Sequence, residues 1–482
     1  VQVDLAGVKS LLLIAADAGD GKDHDHANWA DAVVTFDGEQ PKLAAGGGEI
    51  REVLTPPAPT APRINGPRVY GASPGKPFLY RIPCTGERPM TFAAEGLPEG
   101  LSLDAASGII TGAIKEGTPR THTTYLTARN GKGAARREFR IVAGGTLSLT
   151  PQMGYNHWYT HYNRITQKMM EEAADILIRS GMADAGYEYV NVDDCWMNAP
   201  AVSKYQTDPQ RVGPLRDEAG NIQPNVHFPD MKGLADYIHA RGLKAGLYTS
   251  PGSHTCAGFG GALGFEENDA RQFAAWGFDF LKYDWCSYGR VAGKSPSLEG
   301  MQKPYVLMGD LLKRQPRDIV FNLCQYGMGD VWKWGAQVGG HSWRTGGDLG
   351  FELERIFEIA IKNCGLRDYN KPGGFNDPDY LQIGWHGAQR GGTFELSQPC
   401  PLTPNEQYSF MSLWCLMAAP LFYSGDIQKL DAFTLGILCN HELIEINQDP
   451  LGQCAKIVKQ DGDGFVMVKD LEDGGKAIGL CN

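Results

Sequence analysis

The sequence predicts an α/β protein: a (β/α)8 TIM barrel, preceded by small all-β sandwich modules and followed by the start of a C-terminal β-domain. The chain has 482 residues, of which 42% are hydrophobic, enough for several domains and at least one large core. Strand-like runs alternate with amphipathic helices from about residue 148, over a span that suits a barrel of about 250 residues. Short alternating runs between turn residues flank this region on both sides.

Three segments precede the predicted barrel. Residues 1–45 hold short alternating strands around the turn-rich "DAGDGKDHDHANWAD", and this pattern fits either part of a β-sandwich or a solvated acidic loop between two strands. Residues 46–62 are predicted to be a linker, because the prolines of "TPPAPTAPRI" stiffen the chain and remove hydrogen-bond donors. Residues 63–147 hold alternating runs separated by Gly, Pro and Asn turns, which predicts a second sandwich that acts as a spacer.

The barrel is predicted over residues 148–450. A doubly wound sheet is the competing fold, but no glycine-rich phosphate turn follows the first strand, and eight repeated units favour the barrel. Between the first two strands, helical spacing places one apolar face on Ile165, Met169, Ala173, Ile176 and Leu177. The eight predicted strand runs are "QMGYNHW", "YEYVNVDDCW", "KAGLYTS", "FDFLKYDWC", "IVFNLCQYG", "SWRTGGDLG", "GGFNDPDYL" and "PLFYSGD".

Residues 451–482 return to strict alternation, in "AKIVKQDGDGFVMVKDLEDGGKAIGLCN". This pattern predicts the first hairpins of an antiparallel β-domain. Because the chain begins at Val1 without Met and stops inside the pattern, we expect both ends to be cut from larger domains.

Composition excludes several classes of partner. The formal net charge is -11 and no Lys/Arg block occurs, which argues against nucleic acid or an anionic membrane surface and favours a neutral ligand. No apolar run approaches the roughly 18 residues that a spanning helix needs, so no membrane insertion is predicted. The 11 cysteines form no C-x-x-C or Cys/His cluster, which argues against zinc, and their odd number leaves at least one thiol unpaired.

Polar residues are dense at the predicted carboxyl ends of the strands, where a barrel carries its active site. A single buried carboxylate would more often be a structural group in an ion pair, but the coincidence at several strand ends favours a site. These residues are Trp158, Asp193, Asp194, Tyr248, Lys282, Asp284, Gln325, Arg344, Asp348, Asp377 and Asp379.

Lys282 and Asp284 interrupt a strand that otherwise reads as buried. Period-two alternation directs both to the barrel lumen, while Leu281, Tyr283 and Trp285 face the helices. We expect the two to form an ion pair, because an opposite charge within about 4 to 6 Å lowers a carboxylate pKa by about 1 to 3 units. Asp284 would then be an ionised carboxylate suited to act as a nucleophile.

A second carboxyl group is needed if the reaction is the hydrolysis of a glycosidic bond. In a retaining mechanism the two groups lie about 5 to 5.5 Å apart, and the second begins protonated. Asp348 in "WRTGGDLG" is the best candidate, because the glycine-rich backbone allows close approach to a substrate. Asp193, Asp194 or Asp379 could replace it, although the adjacent Asp193 and Asp194 are better suited to accepting hydrogen bonds from hydroxyl groups.

Seven motifs carry a specific resemblance over residues 148–457. They are "MGYNHW", "DAGYEYVNVDDCW", "GLKAGLYTSPGSHTCAG", "FLKYDWC", "SWRTGGDLG", "GGFNDPDYLQIG" and "LMAAPLFYSGD" followed by "INQDPLG". In this order they resemble glycoside hydrolase family 27, the family of α-galactosidases and α-N-acetylgalactosaminidases. Residues 1–45 resemble the last strands of the bacterial NPCBM sandwich, and "LPEGLSLDAASGIITG" resembles a bacterial immunoglobulin-like module.

The resemblance implies a role for each matching residue. Asp284 would be the nucleophile and Asp348 the acid/base, with Asp193, Asp194 and Lys282 binding the sugar hydroxyls at O3, O4 and O6. The remaining pocket residues implied by the resemblance are Trp158, Tyr248, Cys256, Gln325, Arg344 and Asp379. Cys256 and Cys286 match the family's disulfide, which implies an oxidising compartment and a secreted, periplasmic or cell-surface protein of bacterial type. Cys195 lacks its upstream partner and is predicted to be a free thiol.

The resemblance implies an exo-acting retaining α-galactosidase that cleaves oligosaccharides or glycans and needs no cofactor. Gln325 stands where α-galactosidases usually carry Glu, so α-N-acetylgalactosaminidase is the first alternative. A β-L-arabinopyranosidase is the second, although the intact Asp193–Asp194 pair favours a sugar that has O6. A non-catalytic sugar-binding protein is the third, and the retention of both carboxylates argues against it.

Overall fold

The computed structural model describes residues 51–115, 117, 120–203, 206–390, 393–462 and 464–481. The predicted sandwich tail at residues 1–45 lies outside the described residues. Within the described ranges, no helix combines the length and apolarity that a bilayer crossing requires.

Nine strands in the described part of the chain form the module before the barrel: β1 (Arg63–Ile64), β2 (Val69–Ala72), β3 (Pro77–Arg81), β4 (Cys84–Thr85), β5 (Thr91–Glu95), β6 (Leu101–Asp104), β7 (Ile109–Ala113), β8 (Arg120–Asn130) and β9 (Gly133–Ala143). A four-stranded sheet in the order β2-β9-β8-β5 faces a three-stranded sheet in the order β3-β7-β6. Alternate side chains of both sheets, including Ile110, Leu126 and Phe139, are buried in one core.

The predicted barrel is confirmed. Its strands are β10 (Met153–Asn156), β11 (Tyr189–Asn191), β12 (Lys244–Thr249), β13 (Phe280–Asp284), β14 (Val320–Cys324), β15 (Ser342–Arg344), β16 (Phe375–Asp377) and, after a hairpin of β17 (Trp385–Arg390) and β18 (Thr393–Pro399), β19 (Leu421–Tyr423). Each strand pairs in parallel with the next, and β10 pairs with β19. A parallel bridge between Leu381, which follows β16, and Tyr423 closes the ring.

Strand β13 shows the alternation that the sequence predicts. Phe280 packs in the lumen cluster, whereas Leu281 and Tyr283 belong to the large core between strands and helices. Lys282 and Asp284 therefore point to the same side as Phe280, further towards the carboxyl end of the strand. Aromatic side chains fill the lumen below them, so the charged groups lie above a packed apolar floor.

Helices surround the strands: α1 (Trp158–His161), α2 (Gln167–Arg179), α3 (Met182–Ala185), α4 (Met231–His239), α5 (Glu266–Trp276), α6 (Gly289–Ala292), α7 (Leu298–Lys313), α8 (Leu353–Gly365), α9 (Pro404–Leu416), α10 (Ala432–Leu438) and α11 (His441–Asn447). Helix α2 begins at its N-cap Thr166, whose side chain accepts a hydrogen bond from the backbone of Met169. Met169, predicted on the apolar face, is half-buried and packs against the main core, and its neighbour Met170 is fully buried.

The chain after the barrel forms an antiparallel sheet of β20 (Lys456–Asp461), β21 (Gly464–Asp470) and β22 (Lys476–Cys481). This sheet packs on the outer helices, with Phe465 of β21 edge-on to Phe357 of α8 at 5.5 Å between ring centroids. The Lys469 ammonium is buried below the sheet and donates to the Cys415 carbonyl of α9 at 3.3 Å.

The first module lies against the amino-terminal ends of the barrel strands. A cavity of about 410 Å³ lies between the module and the barrel. Strands β2 and β3 line one side of it, and the starts of β11, β12 and β14 line the other. Tyr70 of β2 donates to Glu188, just before β11, at 2.9 Å. Because Glu188 and the catalytic candidates lie at opposite ends of the strands, the module is remote from the candidate site.

Candidate active site

The candidate residues lie at the carboxyl ends of neighbouring strands. The register aligns Tyr248 of β12 with Lys282 of β13 and Lys282 with Asn322 of β14, so these three side chains share one level of the lumen. One step further along, Asp284 is aligned with Cys324, the last residue of β14. Arg344 and Asp377 are the last residues of β15 and β16, and the other strand-end candidates lie in the segments that follow β10, β11, β14, β15 and β16.

Asp284 is 6% exposed and accepts two hydrogen bonds from tyrosines. The Tyr326 hydroxyl donates to Oδ1 at 2.5 Å, and the Tyr248 hydroxyl donates to Oδ2 at 3.3 Å. Burial raises the pKa of Asp284 above its ordinary value, although Lys282 and Tyr326 both oppose this shift. The negative charge of Asp348 raises the same pKa, which indicates that the two carboxyl groups lie close enough to interact.

The expected Lys282–Asp284 ion pair was wrong. In the described part of the chain, the Lys282 ammonium pairs with Oδ2 of Asp193 at 2.9 Å. The long lysine side chain reaches across to the end of β11, and it lies near the rings of Tyr248 and Tyr380. Burial disfavours the ammonium, but the neighbouring acidic groups, of which Asp193 contributes most, together raise the pKa of Lys282 well above its ordinary value.

Asp193 and Asp194 have unequal environments. Asp193 accepts from the Asn156 side chain at 2.8 Å and from the Asp194 backbone at 2.9 Å. Burial would raise the pKa of Asp193, but its ion pair lowers the pKa below the ordinary value. Asp194 has backbone donors, Cys195 at 2.7 Å and Ala257 at 3.0 Å. Burial raises the pKa of Asp194 to about 7.

Arg344 joins the two acidic candidates that follow β15 and β16. Its guanidinium lies 3.3 Å from Oδ1 of Asp348 and 3.2 Å from Oδ2 of Asp379. The Asp348 side chain is 64% exposed, whereas that of Asp379 is fully buried and also accepts from the Tyr159 hydroxyl at 3.1 Å. Burial raises the pKa of Asp379 to about 6. Asp348 is therefore the acidic group at the open mouth of the site.

Two other candidates lie at the edge of this cluster. Trp158, predicted at the end of a strand, begins helix α1 two residues after β10 and packs edge-on against Tyr162 at 5.2 Å. Gln325 is buried, and its amide donates to the Met328 carbonyl at 2.8 Å. Its Oε1, like Nε of Arg344, has no hydrogen-bond partner among the described residues.

Cys256 and Cys286 form a disulfide with Cα atoms 4.9 Å apart. With Asp284 they are the single group of three candidate metal ligands in the described ranges, and the two sulfurs are bonded to each other. Cys195 is a buried free thiol, as predicted.

Several contact residues escaped the sequence prediction. Asn156 and Tyr380 both donate to Asp193, and Tyr326 donates to Asp284. Asn156 ends β10 inside "MGYNHW", so the rule that strand ends carry the site would have found it. Tyr326 and Tyr380 each follow a candidate that was chosen, and nothing in their local sequence indicates a role.

Comparisons with known proteins identify similar chains. The family model described as Alpha galactosidase A matches residues 150–449, an Ig domain model matches residues 61–144, and the NPCBM/NEW2 domain matches residues 1–35. Alpha-galactosidase A of Cellvibrio japonicus is 37% identical over 349 residues, which cover 70% of this chain and 76% of that protein.

Solved structures agree with the sequence relatives. A Bacteroides fragilis protein assigned as an alpha-galactosidase/melibiase has a TM-score of 0.79 and 39% identity, covering 87% of this chain and 86% of that one. The Saccharomyces cerevisiae alpha-galactosidase solved with raffinose has a TM-score of 0.58 and 27% identity, covering 69% and 74% of the two chains.

Proposed function

Because the chain belongs to glycoside hydrolase family 27 and is an alpha-galactosidase-like glycoside hydrolase, we propose that it releases terminal α-linked galactose from oligosaccharides or glycans with retention of configuration. Raffinose, the sugar bound to the yeast relative, is one substrate of this type.

The observation that carries the proposal is the contrast between two neighbouring carboxyl groups. Asp284 is buried and fixed by two tyrosine hydroxyls, whereas Asp348 is largely exposed and contacts Arg344. A retaining glycosidase needs one carboxylate held against the anomeric carbon and a second that exchanges protons with the leaving group and with water. Asp284 suits the first role and Asp348 the second.

The proposed reaction has two displacements. In the first, an oxygen of Asp284 attacks the anomeric carbon, the bond from that carbon to the glycosidic oxygen breaks, and Asp348 gives its proton to the departing oxygen. In the second, Asp348 takes a proton from water, whose oxygen attacks the same carbon and releases Asp284. Both carboxyl groups return to their starting protonation states, and one water is consumed for each linkage cleaved.

The sugar hydroxyls have matching partners in the proposed complex. The family resemblance assigns Asp193, Asp194 and Lys282 to O3, O4 and O6, and buried charged groups of this kind form short hydrogen bonds with hydroxyls. The unpartnered acceptor of Gln325 and donor of Arg344 suit a hydroxyl at C2, which can donate to one and accept from the other.

The first test compares the wild type with Asp284→Asn on an aryl α-galactoside. We expect the variant to lose activity by on the order of 10⁴-fold, because no other group replaces the nucleophile. A mechanism-based inactivator should label Asp284 in the wild type, as read by peptide mass spectrometry. Equal rates, or a label on another carboxylate, would refute the assignment.

Azide rescue separates the two proposed roles. In Asp348→Ala, azide should attack the glycosyl–Asp284 intermediate and give the α-galactosyl azide. In Asp284→Ala, azide should attack the substrate directly from the vacated face and give the β-galactosyl azide. NMR of the products reports the configuration, and the opposite pattern would exchange the two roles.

A substrate panel decides between the rival functions. Aryl α-N-acetylgalactosaminide hydrolysed faster than aryl α-galactoside would establish the first alternative, and a preference for aryl β-L-arabinopyranoside the second. Binding of galactose without turnover of any of the three glycosides would establish a sugar-binding protein. We expect the α-galactoside to be the preferred substrate.

The proposal also covers the cellular location of the enzyme. A disulfide with a solvent-exposed Cys256 is typical of an oxidising compartment, which supports a secreted, periplasmic or cell-surface bacterial enzyme. The bounds 1–45, 46–62, 63–147, 148–450 and 451–482 stay predictions, and limited proteolysis with mass spectrometry of the fragments tests them.

A further inference from the structure

We infer that Tyr326 is a positioning residue that holds one oxygen of the Asp284 carboxylate and thereby makes the other oxygen, Oδ2, the attacking atom. The inference rests on the proposed role of Asp284 as the nucleophile. It assigns to Tyr326 a function that its place in the sequence does not indicate.

The two oxygens of Asp284 are held unequally. The hydrogen bond from Tyr326 to Oδ1 has the length of a strong, charge-assisted bond, at 2.5 Å, whereas the bond from Tyr248 to Oδ2 is 3.3 Å long. A short hydrogen bond draws electron density from the oxygen that accepts it, and it must lengthen if that oxygen is to form a covalent bond. Oδ2 is therefore the more available nucleophile, and Tyr326 fixes the plane of the carboxylate around it.

The backbone conformation of Tyr326 indicates that the surrounding loop holds this residue in place. Its φ of +63° lies in the left-handed region, which is costly for a bulky side chain. The next residue, Gly327, also has a positive φ, and a Cβ there would lie 2.5 Å from the carbonyl oxygen of Thr345. The loop after β14 is thus pressed against the end of β15, where only glycine fits.

Side-chain hydrogen bonds fix the rest of this loop. The Gln325 amide donates to the Met328 carbonyl at 2.8 Å, and the Trp334 indole donates to the Gly329 carbonyl at 2.8 Å. Because the loop is fixed on both sides of Tyr326, the position of its hydroxyl is set before substrate arrives, as a positioning role requires.

The disulfide lies beside the Tyr326 hydroxyl. The Tyr326 hydroxyl lies 3.7 Å from the sulfur of Cys256 and 3.9 Å from the sulfur of Cys286. Asp284 and Cys286 are two residues apart, so one covalent link braces both the nucleophile and the tyrosine that contacts it.

Tyr326 also affects the charge state of Asp284. Burial raises the pKa of this carboxyl, and the hydrogen bond from Tyr326 lowers it. Burial also raises the pKa of Tyr326 itself, which favours the protonated hydroxyl that donates to Asp284. The other titratable groups that act on Asp284 or respond to it are Lys282 on the same strand and, from neighbouring elements, Asp193, Tyr248, Tyr305, Cys324 and Asp348.

The test is the pH profile of kcat/KM for Tyr326→Phe on an aryl α-galactoside. Loss of the hydroxyl should move the acid limb to higher pH by roughly 0.5 to 1 unit. It should also lower kcat on the pH plateau by roughly 10-fold, with little change in KM, because a freed carboxylate is misoriented in the transition state. Tyr248→Phe is the matched control, and its longer bond predicts a smaller shift of the acid limb.

Two results would overturn the inference. An unchanged acid limb and an unchanged kcat would mean that the Tyr326 hydroxyl does not affect Asp284. A faster plateau rate in Tyr326→Phe would mean that the tyrosine masks the attacking oxygen instead of fixing its neighbour. If Asp284→Asn remained active, the proposed function itself would have failed, whatever the Tyr326 variant does.

Discussion

The buried pair Lys282–Asp193 shows how the site tolerates charge in the barrel lumen. Both side chains are more than nine-tenths buried, and their charged atoms lie 2.9 Å apart. Removing a charge from water costs several kcal/mol, and a buried partner with additional hydrogen bonds compensates for it. Asn156 and Tyr380 supply those additional bonds to Asp193. The pair therefore fixes two groups proposed to bind the sugar hydroxyls.

A double-mutant cycle tests this compensation. Lys282→Met leaves the buried Asp193 carboxylate without its cation, and Asp193→Asn leaves the buried Lys282 ammonium without its anion. Each single variant should lower the free energy of unfolding by about 3 to 5 kcal/mol. The double variant should lose much less than the sum of the two, as measured by urea unfolding, while remaining inactive on the aryl α-galactoside. Additive losses would show that the two groups do not stabilise each other.

The residue scale also shows the limit of the sequence prediction. Alternation correctly directed Lys282 and Asp284 to the lumen, because side-chain direction along a strand follows from its period of two. It could not choose the partner of Lys282, since a flexible lysine contacts whichever carboxylate neighbouring strands bring within reach. Asp193 is 89 positions away in the sequence, and only the closed barrel brings the two together.

At the scale of elements, all eight predicted barrel strands are present, although each is shorter than its predicted run. These strands were predicted from apolar runs that end in polar residues, and both features can be recognised in the local sequence. The hairpin of β17 and β18 was missed, because the sequence prediction treated the chain between β16 and β19 as a connection. The predicted apolar face of α2 lies against the core, with Met169 at its half-buried edge, and the fully buried Met170 was not part of the prediction.

The loop after β14 permits a test at the same scale. Gly327→Ala adds a Cβ that would lie 2.5 Å from the Thr345 carbonyl oxygen at a φ of +83°. We expect a loss of about 2 to 4 kcal/mol of stability from strain and overpacking combined. We also expect kcat/KM to fall by roughly 10-fold, because Tyr326 is displaced.

Gly293→Ala is the matched control for that variant. Gly293 has a φ of +88°, but a Cβ there would meet open space. It isolates the backbone strain, so we expect a loss of only about 1 kcal/mol and unchanged kinetics. Equal effects in the two variants would mean that the contact with Thr345 is unimportant.

At the scale of the whole molecule, the first module and the candidate site occupy opposite ends of the barrel. Asp184 of α3 connects barrel and module: its carboxylate accepts from Arg81 at 3.0 Å and from Arg88 at 2.9 Å, and its carbonyl accepts from Asn65 at 2.8 Å. Since the module contacts the end remote from the carboxylates, its effect on the enzyme should be on stability and not on chemistry.

Asp184→Ala tests whether the module affects stability and not chemistry. The change removes the carboxylate that two arginines share, so the half-buried Arg81 loses its acceptor. The free energy of unfolding should fall by about 1 to 3 kcal/mol. Calorimetry should show a lower unfolding temperature, with the module separating as an earlier transition, while kcat and KM at low temperature stay at wild-type values. Glu99→Ala is the control, because its pair with Lys115 is exposed and confined to the module, so a change within about 0.5 kcal/mol is expected. A fall in kcat for Asp184→Ala before any unfolding would show instead that the module acts on the site through the barrel.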